Sequence, residues 1–200
     1  MGPMANEQGP VIRDEDWYAR ELGPGTAFTG YTFYDTDWTE VVDEGAVFDA
    51  CTFSGVRFNA SRHTDAAFTN CVFRGCVFFD TRFERCKLVG SRFERSTTGL
   101  LEVTGGDWSF TGFRGADLRK AAFDGVRLRE ADLTGARLEG ARLVGCDLSG
   151  AALHGARLKG ADLRGSDLSS LDPRTVEAAG ARIDLEQAAV IATALGYQVG

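Results

Sequence analysis

Two histidines and five cysteines are the side chains of this 200-residue sequence best suited to catalysis or metal binding. Nucleophilic catalysis needs a Ser, Thr or Cys beside a general base, and structural zinc needs clustered Cys and His ligands. Asp43 and His63 lie twenty residues apart with no nucleophile evident beside them, and His154 stands alone. No CxxC spacing occurs among Cys51, Cys71, Cys76, Cys86 and Cys146. We therefore expect no catalytic residue, no metal and no cofactor.

A strict five-residue repeat sets the positions of these side chains. Every fifth residue from Phe113 to Leu168 is Phe or Leu, and the same frame extends back to Phe28. Of the 29 frame positions between 28 and 168, 26 are Phe, Leu, Trp or Val. The exceptions are Asp43, His63 and Thr98. All five cysteines stand two residues before a frame position, where small residues recur, which favours packing over reactivity. A period of five fits neither an α-helix nor a β-strand and indicates a structural repeat.

The repeat unit reads small, polar, Leu or Phe, polar, Gly, and it resembles the unit of the pentapeptide-repeat family. Residues 131–135 (ADLTG) and 161–165 (ADLRG) carry the pattern, and no insertion breaks the frame between residues 28 and 168. The resemblance implies an all-β fold, a right-handed quadrilateral parallel β-helix with four repeats in each coil. About seven coils at strand spacing would form a rod roughly 34 Å long.

Polar frame residues interrupt the apolar column at three places. Asp43 and His63 would lie on one face in adjacent coils, and unpaired buried polar groups are costly. We expect either a buried Asp–His pair or a local departure of the backbone. Beyond Thr98, Leu100 and Leu101 occupy positions that normally carry polar or small residues, and Phe79 lies on the same face one coil earlier. These residues form either an exposed apolar patch or a bulge that turns a leucine inward.

The charge of the chain is negative and unevenly distributed. The formal net charge is −7 and the pI is about 4.9, which disfavours direct binding to nucleic acid. Residues 14–49 contain ten Asp or Glu and one Arg, which indicates either a solvated face or an acidic surface for a basic partner. The predicted partner-binding residues are Asp35, Asp37, Glu40, Asp43, Glu44, Asp49, Phe79, Leu100 and Leu101.

Targeting signals are not evident in the sequence. No apolar run is long enough to span a membrane, and residues 1–10 lack the basic and apolar blocks of a signal peptide. We therefore expect no membrane association and a cytoplasmic location. We expect residues 1–25 to form a tail, disordered over 1–10, and a cap in which Trp17, Tyr18 and Leu22 cover the first coil.

The C-terminal segment departs from the repeat pattern. We expect the β-helix to occupy residues 26–170 and a helical cap and dimerisation segment to occupy 171–200. Asp172 before Pro173 predicts the start of a helix, and Asp184 with Gln187 predicts a capping box. Apolar residues then recur at helical spacing. The predicted dimerisation residues are Leu185, Ala188, Ala189, Ile191, Ala192, Leu195 and Val199.

The tail sequence IDLEQAAVIATALGYQV resembles the C-terminal segment of the quinolone-resistance pentapeptide-repeat proteins, the Qnr and MfpA group. Gln187, Leu195 and Gly196 match that pattern. The resemblance implies a tail-to-tail homodimer that mimics duplex DNA and occupies the DNA-binding saddle of DNA gyrase or topoisomerase IV. Such a protein modulates the topoisomerase and protects it from fluoroquinolones or confers self-immunity against other gyrase poisons. The alternative is a repeat scaffold for an unrelated protein partner.

Overall fold

The computed structural model describes residues 9–200 and shows a parallel β-solenoid that ends in one helix. The predicted fold class, with about seven coils, is confirmed. The predicted disorder over residues 1–10 concerns positions that, except for Gly9 and Pro10, lie outside the described residues. The described strands are β1 (Val11–Arg13), β2 (Glu21–Leu22), β3 (Ala27–Thr29), β4 (Thr32–Tyr34), β5 (Val42–Glu44), β6 (Val47–Asp49), β7 (Thr52–Ser54), β8 (Arg62–Thr64), β9 (Ala67–Thr69), β10 (Val72–Arg74), β11 (Arg82–Glu84), β12 (Arg92–Glu94), β13 (Glu102–Thr104), β14 (Ala122–Asp124) and β15 (Arg142–Val144), followed by α1 (Leu185–Ala194).

The register of the strands gives the solenoid four faces. Phe53 pairs with Phe73, and Phe83 pairs with Val103, so strands stack in parallel with partners twenty residues apart. Face 1 is the sheet β1-β4-β7-β10-β12, face 3 is the sheet from β2 to β15, and face 4 begins with β3-β6-β9. Face 2 is held by single bridges such as Asp37 with Arg57. Side chains five apart therefore point inward from successive faces of one coil.

The core is a stack of frame residues with small side chains between them. On face 1, Phe33, Phe53, Phe73, Phe93 and Phe113 are all buried, and successive rings stack with centroids 4.9, 5.0, 4.9 and 4.6 Å apart. Leucines continue the frame from residue 128 to residue 168, and these too are buried. Aromatic rings at this separation bury large apolar areas and add pairwise attraction.

Corners between faces require a left-handed backbone, which explains the glycine of the repeat. Gly135 has φ 65°, and no heavy atom would lie within 4 Å of a Cβ built there, so conformation rather than space favours glycine. At the equivalent corners earlier in the chain, Ala60 has φ 54° and Leu100 has φ 61°. Side chains other than glycine pay a conformational cost in this region.

The solenoid begins earlier than the sequence predicted. Residues 11–25 do not form a separate lid but complete a coil, because β1 pairs with β4 and β2 pairs with β5. Trp17 is buried and stacks on Trp38 with ring centroids 4.7 Å apart, whereas Tyr18 is exposed. The frame missed this coil because Leu22 and Phe28 are six residues apart, so one additional residue shifts the period.

The solenoid also extends beyond its predicted C-terminal end. Backbone bridges join Arg157 to Glu177 and Asp162 to Arg182, so part of 171–183 still follows the coil. The predicted helix at Asp172 is wrong, because residues 173–183 form turns and bridges of the solenoid and the helix begins at Leu185.

The helix at the C-terminus is the predicted one. The predicted capping box of α1 is confirmed: the Asp184 side chain accepts from the Gln187 amide, and the Gln187 side chain accepts from the Asp184 amide. Gly196 follows the helix with φ 93°. No helix among residues 9–200 has the length and hydropathy needed to cross a membrane.

Candidate functional site

A buried polar cluster replaces the apolar frame on face 3. His63 Nδ1 lies 3.0 Å from Asp43 Oδ2, and its Nε2 lies 3.1 Å from Ser61 Oγ. The Ser61 hydroxyl donates to the Phe58 carbonyl at 2.6 Å, so its oxygen is an acceptor for the imidazole. The other Asp43 oxygen accepts from the Ala46 amide at 2.9 Å. Each ring nitrogen of His63 therefore has an oxygen partner, and the polar atoms of the cluster are satisfied within the core.

This cluster confirms the predicted Asp43–His63 pair and corrects the prediction that Asp43 binds a partner. Asp43, Ser61 and His63 are at most 1% exposed, so none of them reaches the surface. The connectivity of Ser, His and Asp is that of a hydrolase triad, but the serine proton is committed to a carbonyl. Ser61 was missed in the sequence, although its place two residues before His63 is the small inward position of the repeat.

The surface carboxylates of residues 14–49, called here the acidic region, lack arginine partners with one exception. Asp37 forms an ion pair with Arg57 at 2.9 Å. Within residues 9–200, the other carboxylates of this region make no salt bridge. The exposed carboxylates are Asp14, Glu15, Asp16, Glu21, Asp35, Glu40 and Glu44, and Asp49 is half-buried. The predicted residues Asp35, Asp37, Glu40, Glu44 and Asp49 therefore do lie on the surface.

Local hydrogen bonds tune two groups in the acidic region. Partial desolvation opposes the shift, but hydrogen bonds from Arg57 and Thr39 hold the pKa of Asp37 below its ordinary value. The hydrogen bond to Glu40, followed by its charge, raises the pKa of Tyr18.

Arginines neutralise the carboxylates in the later coils. Arg127 contacts Asp107 at 3.0 Å, and Arg142 contacts Asp124 at 2.7 Å. Further contacts join Arg114 to Asp132, Arg119 to Asp117, Arg164 to Asp162 and Arg174 to Asp172. Exposed pairs of this kind add little stability, but they cancel the local charge. The net negative charge of the chain is therefore presented mainly by its first two coils.

An apolar patch made of Phe79 and Leu100 lies at the corner between faces 2 and 3. Their side chains are 55% and 44% exposed. Leu101 is fully buried, which corrects its prediction as a contact residue. Leu101 stands two residues before Val103, at the inward position of the repeat, and the pairing of Phe83 with Val103 keeps the register of twenty, so no bulge forms. The Thr98 hydroxyl donates to the Asp117 carbonyl at 2.6 Å. Of the two alternatives stated for this segment, the exposed patch is the one observed, formed by Phe79 and Leu100.

The cysteines are buried packing residues, as their register predicted. Each of the five thiols is free and buried. Burial raises the pKa of Cys76 and of Cys86 to about 12 and that of Cys146 to about 11. Their sulfurs donate to backbone carbonyls, as Cys86 does to His63 at 3.2 Å. A thiol held protonated in this way is a weak nucleophile.

The tail, residues 185–200, leaves much of its apolar surface uncovered. The buried Gln187 amide donates to the carbonyls of Leu163 and Ser166 and fixes α1 to the last coil. Ile191 packs against the core, so this predicted dimerisation residue is committed within its own chain. Leu185, Leu195 and Val199 are 87%, 46% and 56% exposed, and Ala188, Ala189 and Ala192 are half-buried. Val190 and Tyr197 are also exposed, and neither is among the predicted dimerisation residues.

The repeat and the solenoid define a class of protein. Residues 64–95, 104–135, 112–150 and 131–169 match the family model for pentapeptide repeats, which finds eight copies. The chain belongs to the pentapeptide-repeat family.

Solved structures with the same fold cover nearly the whole chain. A trypsin-treated variant of QnrB1, a plasmid-mediated fluoroquinolone resistance protein, superposes with a TM-score of 0.76 at 22% identity, over 95% of this chain and 97% of that one. Full-length QnrB1 gives a TM-score of 0.56 at 20% identity, over 94% and 100% of the two chains. At this identity the likeness shows the fold. No curated protein sequence matches the chain.

Proposed function

We propose that the chain is a non-enzymatic DNA mimic that binds bacterial DNA gyrase or topoisomerase IV in the DNA-binding saddle. In this proposal it modulates the enzyme and protects it from fluoroquinolones or other gyrase poisons in the cytoplasm. The observation that carries the proposal is the concentration of unpaired, exposed carboxylates on the first two coils of a narrow rod. The tail resemblance and the QnrB1 fold support the same partner.

Charge density makes the acidic region comparable with DNA over a short length. Ten acidic residues less the buried Asp43 and offset by Arg13 and Arg20 leave seven net charges on two coils. Two coils span roughly 10 Å at strand spacing. Duplex DNA presents about six phosphates over that length. The remaining coils carry paired charges, so shape contributes the rest of the fit and the acidic region steers approach.

The exposed tail supports a homodimer as the second part of the proposal. Leu185, Leu195 and Val199 present apolar area that the solenoid leaves uncovered. Contact between two tails would set the acidic regions at the outer ends of a rod roughly 80 Å long at strand spacing. Replacing Leu195 with Arg should give a monomer by light scattering, whereas Glu186→Arg on the same helix should not. An unchanged mass for the Leu195 variant would reject this interface.

A supercoiling assay tests the topoisomerase proposal. The chain in molar excess should change gyrase activity, with and without a fluoroquinolone, and Glu40→Lys with Glu44→Lys should weaken the effect. Glu130→Lys with Glu177→Lys is the matched control, because Glu40 and Glu130 occupy equivalent left-handed corners with φ 59° and 54°. If gyrase is unaffected by the unmodified chain, a scaffold for an unrelated partner becomes the better interpretation.

A further inference from the structure

Face 2 carries opposite charges on its two ends with an uncharged centre. The column just before the frame on this face reads Asp16, Asp37, Arg57, Val77, Thr97, Asp117, Arg137, Arg157 and Glu177. Successive members stack through parallel bridges, except between Thr97 and Asp117. The column just after the frame adds Arg119, Glu139 and Lys159 at one end and the exposed Phe79 near the centre. The first end therefore has an excess of carboxylates, the other a small excess of arginine and lysine, and the apolar patch lies between them.

An antiparallel arrangement makes this face complementary to itself. Consider a twofold axis that lies in the interface, perpendicular to the rod and between the levels of Val77 and Thr97. It places each column of one chain against the same column of the partner, running in the opposite direction. Asp16 then opposes Arg157, and Asp37 opposes Arg137. Arg57 opposes Asp117, so the six charged residues from Asp16 to Arg157 meet the opposite sign, and Glu177 lies beyond the first coil of the partner. In the neighbouring column, Phe79 opposes Gly99, where no side chain obstructs a ring from the partner.

We propose that face 2 is an interface between two copies of this chain, packed side by side and antiparallel. A second copy is the occupant because its own column, from Asp16 to Arg157, carries the opposite sign at each facing charged position. A parallel arrangement would place the acidic end on the acidic end, and like charges at an interface cost affinity. Duplex DNA would be repelled from the acidic end, and a basic peptide would match only that end.

The expected association is weak. Eight coils at strand spacing and three extended residues in width give a face of roughly 38 by 10 Å. The two faces together bury on the order of 800 Å², below the size of standard interfaces, which places the contact among transient ones. The intrachain pairs of Asp37 with Arg57, of Asp117 with Arg119 and Arg137, and of Arg157 with Glu139 also have to be shared with the partner. Detection therefore requires a concentration series that reaches the millimolar range.

Exchange of charges between two variants tests this interface directly. Sedimentation velocity of the full chain with Leu195→Arg, which removes the proposed tail contact, isolates the side-by-side association. Asp37→Arg alone and Arg137→Asp alone should each weaken it at least about tenfold, equal to about 1.4 kcal/mol, because each change repeats at two symmetric sites. An equal mixture of the two variants should regain association, because Arg at position 37 of one chain then faces Asp at position 137 of the other.

A matched control and a fold check accompany the mixture. Asp132→Arg on face 1 also removes the partner of a neighbouring arginine, Arg114, and should leave association unchanged. Circular dichroism should show the same strand signal for every variant. Failure of the mixture to associate better than its components, or a chain that stays monomeric at all concentrations, overturns the proposal. This contact is independent of topoisomerase binding. A supercoiling assay that shows no effect on gyrase would therefore not argue against it.

Discussion

The aromatic half of the solenoid, residues 26–110, and the leucine half, residues 111–168, build the same coil from different materials. Stacked rings fill the first, and Leu with Ala fills the second. Thirteen of the fourteen non-glycine residues with positive φ lie at or before Phe110, whereas glycine occupies most corners of the leucine half. The leucine half thus follows the repeat closely, and the aromatic half departs from it at several positions. One backbone path accepts both because neighbouring coils, more than single residues, hold each repeat in place.

The first two coils differ from the rest of the solenoid in the pairing of their charges. Later coils pair carboxylates with arginines in both halves, as Arg85 does with Asp65 and Arg164 with Asp162, whereas the first two coils leave most carboxylates free and bury Asp43 against a histidine. Free like charges raise the energy of the folded state. Departures that cost stability therefore gather in the half that carries the proposed binding surface. Sequences depart from local consistency mainly at functional or strained sites, and the following predictions test this contrast.

The largest effect is expected at the buried pair of the aromatic half. Asp43→Ala leaves the His63 ring without its carboxylate and the Ala46 amide without an acceptor. Breaking a buried pair costs about 3–5 kcal/mol of the free energy of unfolding. Chemical denaturation measures this loss. Asp43→Leu with His63→Phe restores the repeat pattern and should recover most of it, since a ring at 63 can stack on Phe83. A double variant as unstable as the single one would contradict this view of the pair.

Next comes the aromatic stack itself. Phe73 stacks between Phe53 and Phe93 at 5.0 and 4.9 Å, so Phe73→Leu loses two ring contacts and leaves a cavity. We expect a loss of about 2–4 kcal/mol. Phe123→Leu is the control in the leucine half, where the nearest rings, Trp108 and Phe113, are edge-on at 6.0 and 6.1 Å.

The Phe123→Leu control should lose about half as much free energy of unfolding as Phe73→Leu, because aliphatic neighbours repack around leucine more readily. Both values come from the same denaturant titration at one temperature. Equal losses at positions 73 and 123 would show that the stacked column adds nothing beyond the burial of its rings.

A smaller effect separates the two kinds of corner. Gly135→Ala should cost about 1 kcal/mol, because an alanine at φ 65° occupies the left-handed region. Ala60→Gly at φ 54° should change stability by less, since relief of that cost is offset by the greater freedom of glycine in the unfolded chain. Thermal unfolding of the two variants measures the difference. Destabilisation by both changes to the same extent would remove the distinction between the corners.

The smallest effect is expected from acid. Lowering the pH should remove more stability from the leucine half and the coils that follow it than from the early coils. A hydrogen bond from Arg164 lowers the pKa of Asp162 to about 2, and Asp117, Asp132 and Asp167 also have lowered pKa values. A depressed folded-state pKa contributes stability above the unfolded value, near 3.9, that is lost as pH falls through the folded value.

The expected loss therefore falls between about pH 4 and pH 2. Urea denaturation across this range should show a steeper decline for the unmodified chain than for Asp162→Asn. Parallel declines would mean that the exposed Arg164 contact contributes nothing, as many surface pairs do.

Much of this structure was predictable because the repeat determines which side chains point inward. The frame located the core, the paired Asp43 and His63, and the packing role of the cysteines. It failed at the first coil, where one extra residue after Leu22 shifts the period. The choice between Leu100 and Leu101 was left open, although Leu101 stands two residues before Val103, at the inward position of the repeat. Only the fit of this larger side chain at a position that usually carries a small one depends on packed neighbours.

The candidate surface was less predictable than the fold. Composition located the acidic region, but which carboxylates are neutralised depends on arginines one coil away, as with Arg57 and Asp37. The order of charges along face 2 emerges only when positions twenty apart are stacked. The buried side of α1 likewise depends on the Gln187 contacts to the last coil, which no periodicity indicates.

Competition between this chain and duplex DNA for gyrase tests the central claim most directly. Fluorescence anisotropy of labelled duplex DNA bound to gyrase should fall as the chain is added, and the Glu40→Lys, Glu44→Lys variant should need a higher concentration for the same fall. The control variant Glu130→Lys, Glu177→Lys should compete as the unmodified chain does. Anisotropy that stays constant while the chain binds gyrase, or in the absence of any binding, would contradict the account of the acidic coils as a substitute for DNA.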